Sequence, residues 1–264
     1  MIKLESKICL DSVKAAGSEL KNFQNNNNFK NIEKWNKFEA GLVTQADLKS
    51  DEIIKKIIKM NSNHNILSEE SRDDFSLSSD KFFCVDPLCG TVPYSNNLNS
   101  WGLTVSFFSD NKSVGAIGCP ANNEYIHCDD ENVYFNDEIF KPIASFPEMI
   151  DMTLCLEIEQ GKNWSKLFKE ELDWVKNFSY INSFASAVYP GFEIIKGNLP
   201  VMAIYKISLE HVGGLMSIGE KIGLKSTDGF GNDLKTDKLI NEVPEWFIFG
   251  WPEVHEKLIK KINN

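Results

Sequence analysis

Apolar residues recur over the first 23 positions at helical spacing. Ile2, Leu4, Ile8, Val13 and Leu20 fall near one face, with charged residues between, and predict an amphipathic helix. The Asn-rich stretch FQNNNNFKN has no apolar period and reads as a loop. A second helical period runs from about Asp47 to Met60, with Ile53, Ile54, Ile57 and Ile58 facing inward. HNILSEES then reads as a short strand ending in acids, and KFFCVDP as a buried strand ending at Pro87. From Trp101 to about Phe135 the runs WGLTVSFF, KSVGAIG and NEYIHC are short and β-rich, separated by turn residues. They predict an antiparallel meander. Beyond FKPIASFPE the texture becomes α/β. Strands DMTLCLEI, VMAIYK and EWFIFG alternate with helices over Trp164–Trp174, Ser186–Gly197, Leu209–Lys221 and Pro252–Ile262. Gly197 stops one of these helices, and Pro252 suits a first helical turn. The pattern divides the chain into an α+β half, 1–140, and an α/β half, 141–264, that share a cleft.

Composition narrows the function. Of 264 residues, 42% are hydrophobic, enough for one large domain or two packed halves. A formal net charge of -10 with no Lys or Arg run argues against a nucleic-acid partner. The six cysteines have no short zinc-type spacing and are too few for a disulfide scaffold, so free thiols in a reducing cytoplasm are expected. Charges interrupt the apolar pattern of MIKLESKICL, which reads neither as a signal peptide nor as an anchor. No run approaches the roughly 20 apolar residues that span a bilayer.

Candidate chemistry lies at predicted element ends. Asp47 opens a helix, Glu69 and Glu70 follow one strand, and Asp86 closes another. Carboxylates that converge on one sheet edge repel each other unless a cation sits between them, and hard oxygen donors favour magnesium, manganese or calcium. In VDPLCGT, Pro87 turns the chain, Gly90 permits close backbone approach, and Thr91 offers a hydroxyl. Such a turn can present backbone N–H groups to a phosphate beside a metal.

The ordered motifs ADLKSDEII, LSEES and VDPLCGT resemble those of the inositol monophosphatase family. There the third motif is usually Asp-Pro-Ile/Leu-Asp-Gly-Thr. ASAVYPGFEIIKGNL, SLEHVGGLMSIGEKIG and IFGWPEVHEKLIKKI resemble its later helices and closing strand, so the likeness covers nearly the whole chain. The resemblance implies a layered αβαβα sandwich with metals at the junction of the halves. It also implies a homodimer that uses Mg2+, or Mn2+ or another divalent metal, to hydrolyse a small sugar, polyol or nucleotide phosphate. Glu69 matches a metal ligand that also positions the attacking water. Asp86 matches a metal-bridging carboxylate, and the Leu88 carbonyl a further ligand. Thr91 matches the residue that polarises the water, with Asp47 hydrogen-bonded behind it. The N–H groups of Gly90 and Thr91 match the phosphate cradle. The second metal falls to the positions of Cys89 and Glu210.

Those last two positions depart from the family. Cys89 stands for an Asp, and Leu209-Glu210 stand for Trp-Asp. A soft thiolate should weaken a hard cation. Cys89 therefore leaves three readings open: lost catalysis with phosphometabolite or partner binding retained, use of one strong metal or a softer one such as manganese or zinc, or a nucleophile. An acid that contacts substrate hydroxyls in animal members aligns with Ala203. His64, His127, His211 and His255 have no metal-type spacing; His211 follows Glu210 and could approach the altered site, but it reads rather as a helix-cap or surface residue.

Overall fold

The fold comes from a computed structural model that describes residues 2–26, 34–37, 41–74, 80–109, 112–170 and 172–264. The elements in chain order are α1 (Lys3–Asn26), β1 (Lys34–Lys37), β2 (Gly41–Thr44), α2 (Gln45–Asn61), β3 (Asn65–Ser68), β4 (Lys81–Cys89), α3 (Thr91–Ser95), β5 (Gly102–Ser109), β6 (Lys112–Cys119), β7 (Glu124–Cys128), β8 (Val133–Phe135) and β9 (Glu138–Ile139). Then come β10 (Thr153–Glu157), α4 (Gly161–Glu170), β11 (Tyr180–Asn182), α5 (Val188–Lys196), β12 (Val201–Tyr205), α6 (Leu209–Ile222), β13 (Lys225–Asp228), α7 (Thr236–Asn241), β14 (Trp246–Gly250) and α8 (Pro252–Ile262).

These elements stack as αβαβα. β3 to β9 form a seven-stranded sheet in sequence order, and β11-β10-β12-β14-β13 form a five-stranded sheet. Helices α1 and α2 pack on each other and on the outer face of the larger sheet. Helices α5 and α6 lie between the sheets, and one continuous core joins Val13, Ile54, Val105, Leu215 and Phe249. On the far face of the smaller sheet, Leu167 of α4 and Val254 and Leu258 of α8 bury Leu154, Val201 and Ile248.

The third layer sits unusually close to the larger sheet because α6 carries Gly213 and Gly214. A Cβ on Gly214 would fall 2.0 Å from Thr104 Oγ1 and 3.0 Å from Ile117 Cγ2. This approach brings the first turn of α6 to the end of β4. Gly214→Ala is expected to cost about 1–3 kcal/mol through overpacking and to lower Tm by several degrees. Gly161→Ala, with nothing within 4 Å of the added carbon, serves as the thermal-melt control and should leave Tm unchanged or slightly higher.

Several boundaries differ from the sequence pattern. α1 runs through the first residues of the Asn-rich stretch, while 27–31 lie outside the described residues. β4 does not end at Pro87. It continues to Cys89 through a bulge, because Asp86 pairs Thr104 but Cys89 pairs Gly102. Pro87, with no N–H to donate, is accommodated at that irregularity. The helix expected over Trp164–Trp174 is divided into α4 and a 3-10 turn, Asp173–Asn177. β11 and β13 had no apolar alternation to mark them: the first is exposed throughout, and the second reads KSTD.

Candidate metal and phosphate site

The end of β4 collects the site. β3 and β4 are parallel and Ser68, the last residue of β3, pairs Val85, so Glu69 opens the 3-10 turn Glu69–Asp74 at the point where β4 reaches Asp86. Strand spacing there is about 4.8 Å. Ser68 Oγ donates to Asp51 Oδ1 at 2.6 Å, and Lys55 Nζ meets Asp51 Oδ2 at 2.6 Å, so α2 fixes the end of β3 just before Glu69. Asp86 is fully buried, and its Oδ1 accepts the Leu88 N–H at 3.1 Å. Ser50 Oγ, also on α2, donates to the Pro87 carbonyl at 2.6 Å and holds the bulge in place.

Beyond the bulge, Gly90 has φ +92°, a conformation glycine tolerates, and a Cβ there would lie 2.9 Å from Ser186 Cβ. The chain then enters α3 at Thr91. Thr91 Oγ1 donates to Asp47 Oδ1 at 2.8 Å and lies 3.3 Å from the Leu88 carbonyl oxygen. Asp47 is the third residue of α2, where its Oδ2 accepts both the Thr44 N–H (2.8 Å) and the Thr44 hydroxyl (2.6 Å) of the N-cap. Burial pushes the Asp47 carboxyl up to about 6, against the opposing hydrogen bonds from Thr44 and Thr91.

A second group forms across the layers. His211 Nδ1 lies 2.6 Å from Asp86 Oδ2, and potential ligand atoms of Asp86, Cys89 and His211 all fall within 4.8 Å of one another. His211 therefore is not the cap or surface residue its sequence position suggested. Burial pulls its pKa down, but the charge and hydrogen bond of Asp86, with help from Cys89 and Glu69, outweigh that and hold it well above the imidazole range. Cys89 is buried, and its Sγ accepts the N–H groups of Ala187 (3.2 Å) and Val188 (3.3 Å), with Ser186 Oγ at 3.5 Å. Burial, reinforced by Asp86, pushes its thiol up to about 11. Glu210 is buried in the first turn of α6, directly before His211.

The loop that faces Cys89 is tethered by Glu157 at the end of β10. Its carboxylate accepts Phe184 N–H at 2.6 Å, Ala185 N–H at 2.9 Å and Ser183 Oγ at 3.0 Å. Burial pushes this acid up to about 7. Neither Glu157 nor Ser186 stands out in the sequence, since each acts through contacts far along the chain. Ala203 is fully buried within β12 and faces the outer core with Leu154 and Ile248, so it presents nothing to a ligand. His64, His127 and His255 lie in other contacts: near Glu5, stacked on Tyr134, and bonded to Thr227.

The donor set fits two kinds of cation unequally. Glu69, Asp86 and the Leu88 carbonyl are hard oxygens suited to Mg2+ or Mn2+. At the neighbouring position Cys89 puts a sulfur where magnesium requires oxygen, so that half does not fit magnesium. Among the described residues no helix is long and apolar enough to cross a membrane.

Comparison with known proteins gives a consistent relation. A profile of the inositol monophosphatase family matches residues 6–171. The phosphatase IMPL1 of Arabidopsis thaliana chloroplasts is 38% identical over 67 residues, which span 25% of this chain and only 18% of that protein. The extragenic suppressor protein suhB of Bartonella henselae superposes with a TM-score of 0.83 at 20% identity, covering 98% of both chains. An IMPase/NADP phosphatase complexed with NADP and Ca2+ superposes with a TM-score of 0.80 at 14% identity, covering 100% of this chain and 96% of that one.

Proposed function

Because the chain belongs to the inositol monophosphatase family, a family of metal-dependent phosphatases, we propose that it is a phosphomonoesterase for a small sugar, polyol or nucleotide phosphate. The observation that carries this reading is the hydrogen bond from Thr91 Oγ1 to Asp47 Oδ1 at 2.8 Å, on the turn that leaves the buried Asp86. Glu69, Asp86 and the Leu88 carbonyl would hold a Mg2+ or Mn2+ ion. Such an ion supplies charge neutralisation at the phosphate and acidifies a water. The protein's own groups then do the rest. Asp47 takes the Thr91 hydroxyl proton as a hydrogen-bond acceptor, which leaves the Thr91 oxygen free to accept from the attacking water. The backbone N–H groups of Gly90 and Thr91 would receive the phosphate oxygens. Buried Asp86 would offer its carboxylate to the ion, and Glu69 would orient the water. The related structure that holds NADP and Ca2+ supports a phosphorylated small molecule as ligand. Family likeness extends the reading to a homodimer.

A second reading, phosphometabolite binding without turnover, is favoured by one observation: beside Asp86 stand a thiol and an imidazole, Cys89 and His211, with ligand atoms all within 4.8 Å, where magnesium would need oxygen. A panel of sugar, polyol and nucleotide monophosphates, assayed separately with Mg2+, Mn2+ and Zn2+, separates the two. Phosphate release above the background of Asp86→Asn supports the first reading. Calorimetric binding with no release in any metal supports the second.

The state of Asp47 makes a pH prediction. Its carboxyl is raised to about 6, so the ionised acceptor form is filled only as pH rises through that value. Phosphate release should therefore climb on an acid limb at or below pH 6. Asp47→Asn should lower kcat by about 10- to 100-fold and abolish that limb. An acid limb that survives unchanged in Asp47→Asn would assign it to another group.

A further inference from the structure

We propose that Asp86, Cys89 and His211 form a binding site for a zinc-class divalent cation, held through one oxygen, one sulfur and one nitrogen. The proposal rests on the site described above but concerns a different cation from the magnesium that the oxygen donors suit. The three ligand atoms already lie within 4.8 Å of one another, although they come from β4 and from α6, more than a hundred residues away along the chain. Zinc bonds of about 2.0–2.3 Å in tetrahedral geometry place two ligands of one ion about 3.3–3.6 Å apart. Closing the cluster on an ion therefore takes side-chain shifts of about 1 Å, from atoms that now lie within 4.8 Å of one another. A sulfur, an imidazole and a carboxylate match zinc, or cobalt in its place, and discriminate against magnesium.

The surroundings support the sulfur as a ligand. Ala187 and Val188 donate their N–H groups to Cys89 Sγ, and Ser186 Oγ lies at 3.5 Å. Donors of this kind orient a metal-bound thiolate and stabilise its charge. Glu157 in turn anchors the loop that presents them. The side chain of Asp86 is inaccessible while that of His211 is 23% exposed, so an ion and its remaining water ligand would enter from the His211 side. On binding, the thiol proton and any proton on the coordinating imidazole nitrogen pass to solvent, and the direct Asp86–His211 hydrogen bond gives way to two bonds to the metal. The thiolate and carboxylate then balance the two positive charges.

Cobalt provides a readout that does not depend on turnover. Metal-free protein titrated with Co2+ should take up one equivalent with an intense thiolate-to-cobalt charge-transfer absorption in the near ultraviolet, displaced by Zn2+. Cys89→Ser should abolish the absorption, and His211→Ala should weaken Zn2+ binding by about 100-fold or more. Cys84→Ser and Thr91→Ala should leave both unchanged. Thermal melts identify any variant that fails to fold, in which case Cys89→Ala replaces Cys89→Ser. Cobalt bound without the charge-transfer band, or a band that persists when Cys89 is replaced, overturns the site. Mg2+-dependent phosphate release with no cobalt band would overturn this proposal and leave the phosphatase reading standing. A cobalt band with no phosphate release in any metal would do the reverse.

Discussion

Asp86→Asn is expected to lower phosphate release by about 1,000-fold or more, equivalent to roughly 4 kcal/mol of transition-state stabilisation. Several kcal/mol is the scale on which a divalent cation stabilises phosphoryl charge, and Asp86 is the residue that both proposed cation positions share. It stands beside Glu69 at the end of two parallel strands and within hydrogen-bond distance of His211. Asn keeps the shape and can still accept the Leu88 N–H, so the bulge should persist. What disappears is the charge. The same substitution removes the carboxylate that sustains the His211 imidazolium, so the His211 pKa should fall back toward or below the usual range. An NMR titration of the His211 ring therefore gives a second readout, independent of substrate. Turnover above a tenth of the wild-type rate in a folded Asp86→Asn protein would remove Asp86 from the cation-holding role.

Buried pairing also fixes the expected sign of the stability change. In the wild type His211 is raised, so its charged form stabilises the fold below the ordinary imidazole pKa, and that contribution is lost as pH rises through the raised folded value. Removing Asp86 should therefore cost stability at neutral pH and lessen the fall in stability on the alkaline side. A loss of activity with a cooperative melt and this changed pH profile is chemistry. A loss with no melt is unfolding.

The layered order was legible because each layer has its own period. Apolar helices, alternating strands and the α/β texture after residue 140 all have local causes, and α2, α6, β14 and α8 fall where the pattern places them. The polar edge strands β11 and β13 were not legible, since their pairing rests on neighbours and not on their own residues. The candidate site divides the same way. Asp47, Glu69, Asp86 and Thr91 stand out as acids and a hydroxyl at element ends, and the structure brings Thr91 to Asp47 and Glu69 to the edge beside Asp86. His211 did not stand out. Its partner is 125 residues away, and the contact exists only because Gly213 and Gly214 let α6 settle onto β5 and β6. The place of His211 after Glu210 allowed an approach to the altered site, but nothing local to α6 singles out Asp86 as the partner.

Cys89→Asp is expected to raise Mg2+-dependent phosphate release by about 10-fold or more, roughly 1.4 kcal/mol of barrier, and to weaken Zn2+ and Co2+ binding at the same position. The cradle suits the change. Ala187 and Val188 direct N–H groups at the present sulfur, and a carboxylate is the stronger, charge-assisted acceptor for them. The new oxygen would stand near Asp86, so two buried acids would face each other with His211 as their nearest cation. Without metal that repulsion should lower Tm relative to the wild type. With Mg2+ the ion binds the folded state alone and should raise Tm above the metal-free variant by an amount that grows with Mg2+ concentration. Glu210→Asp, added to Cys89→Asp, tests whether the extra methylene at 210 limits the same ion. The decisive comparison is Mg2+ titrated against phosphate release and against Tm in the same protein. A variant whose Tm responds to Mg2+ while its turnover stays at the wild-type level shows that Cys89 governs which cation is held but not whether the ester is cleaved. A variant in which neither responds removes Cys89 from the cation site, the new acid then being neutralised by a proton or by His211 and not by the ion.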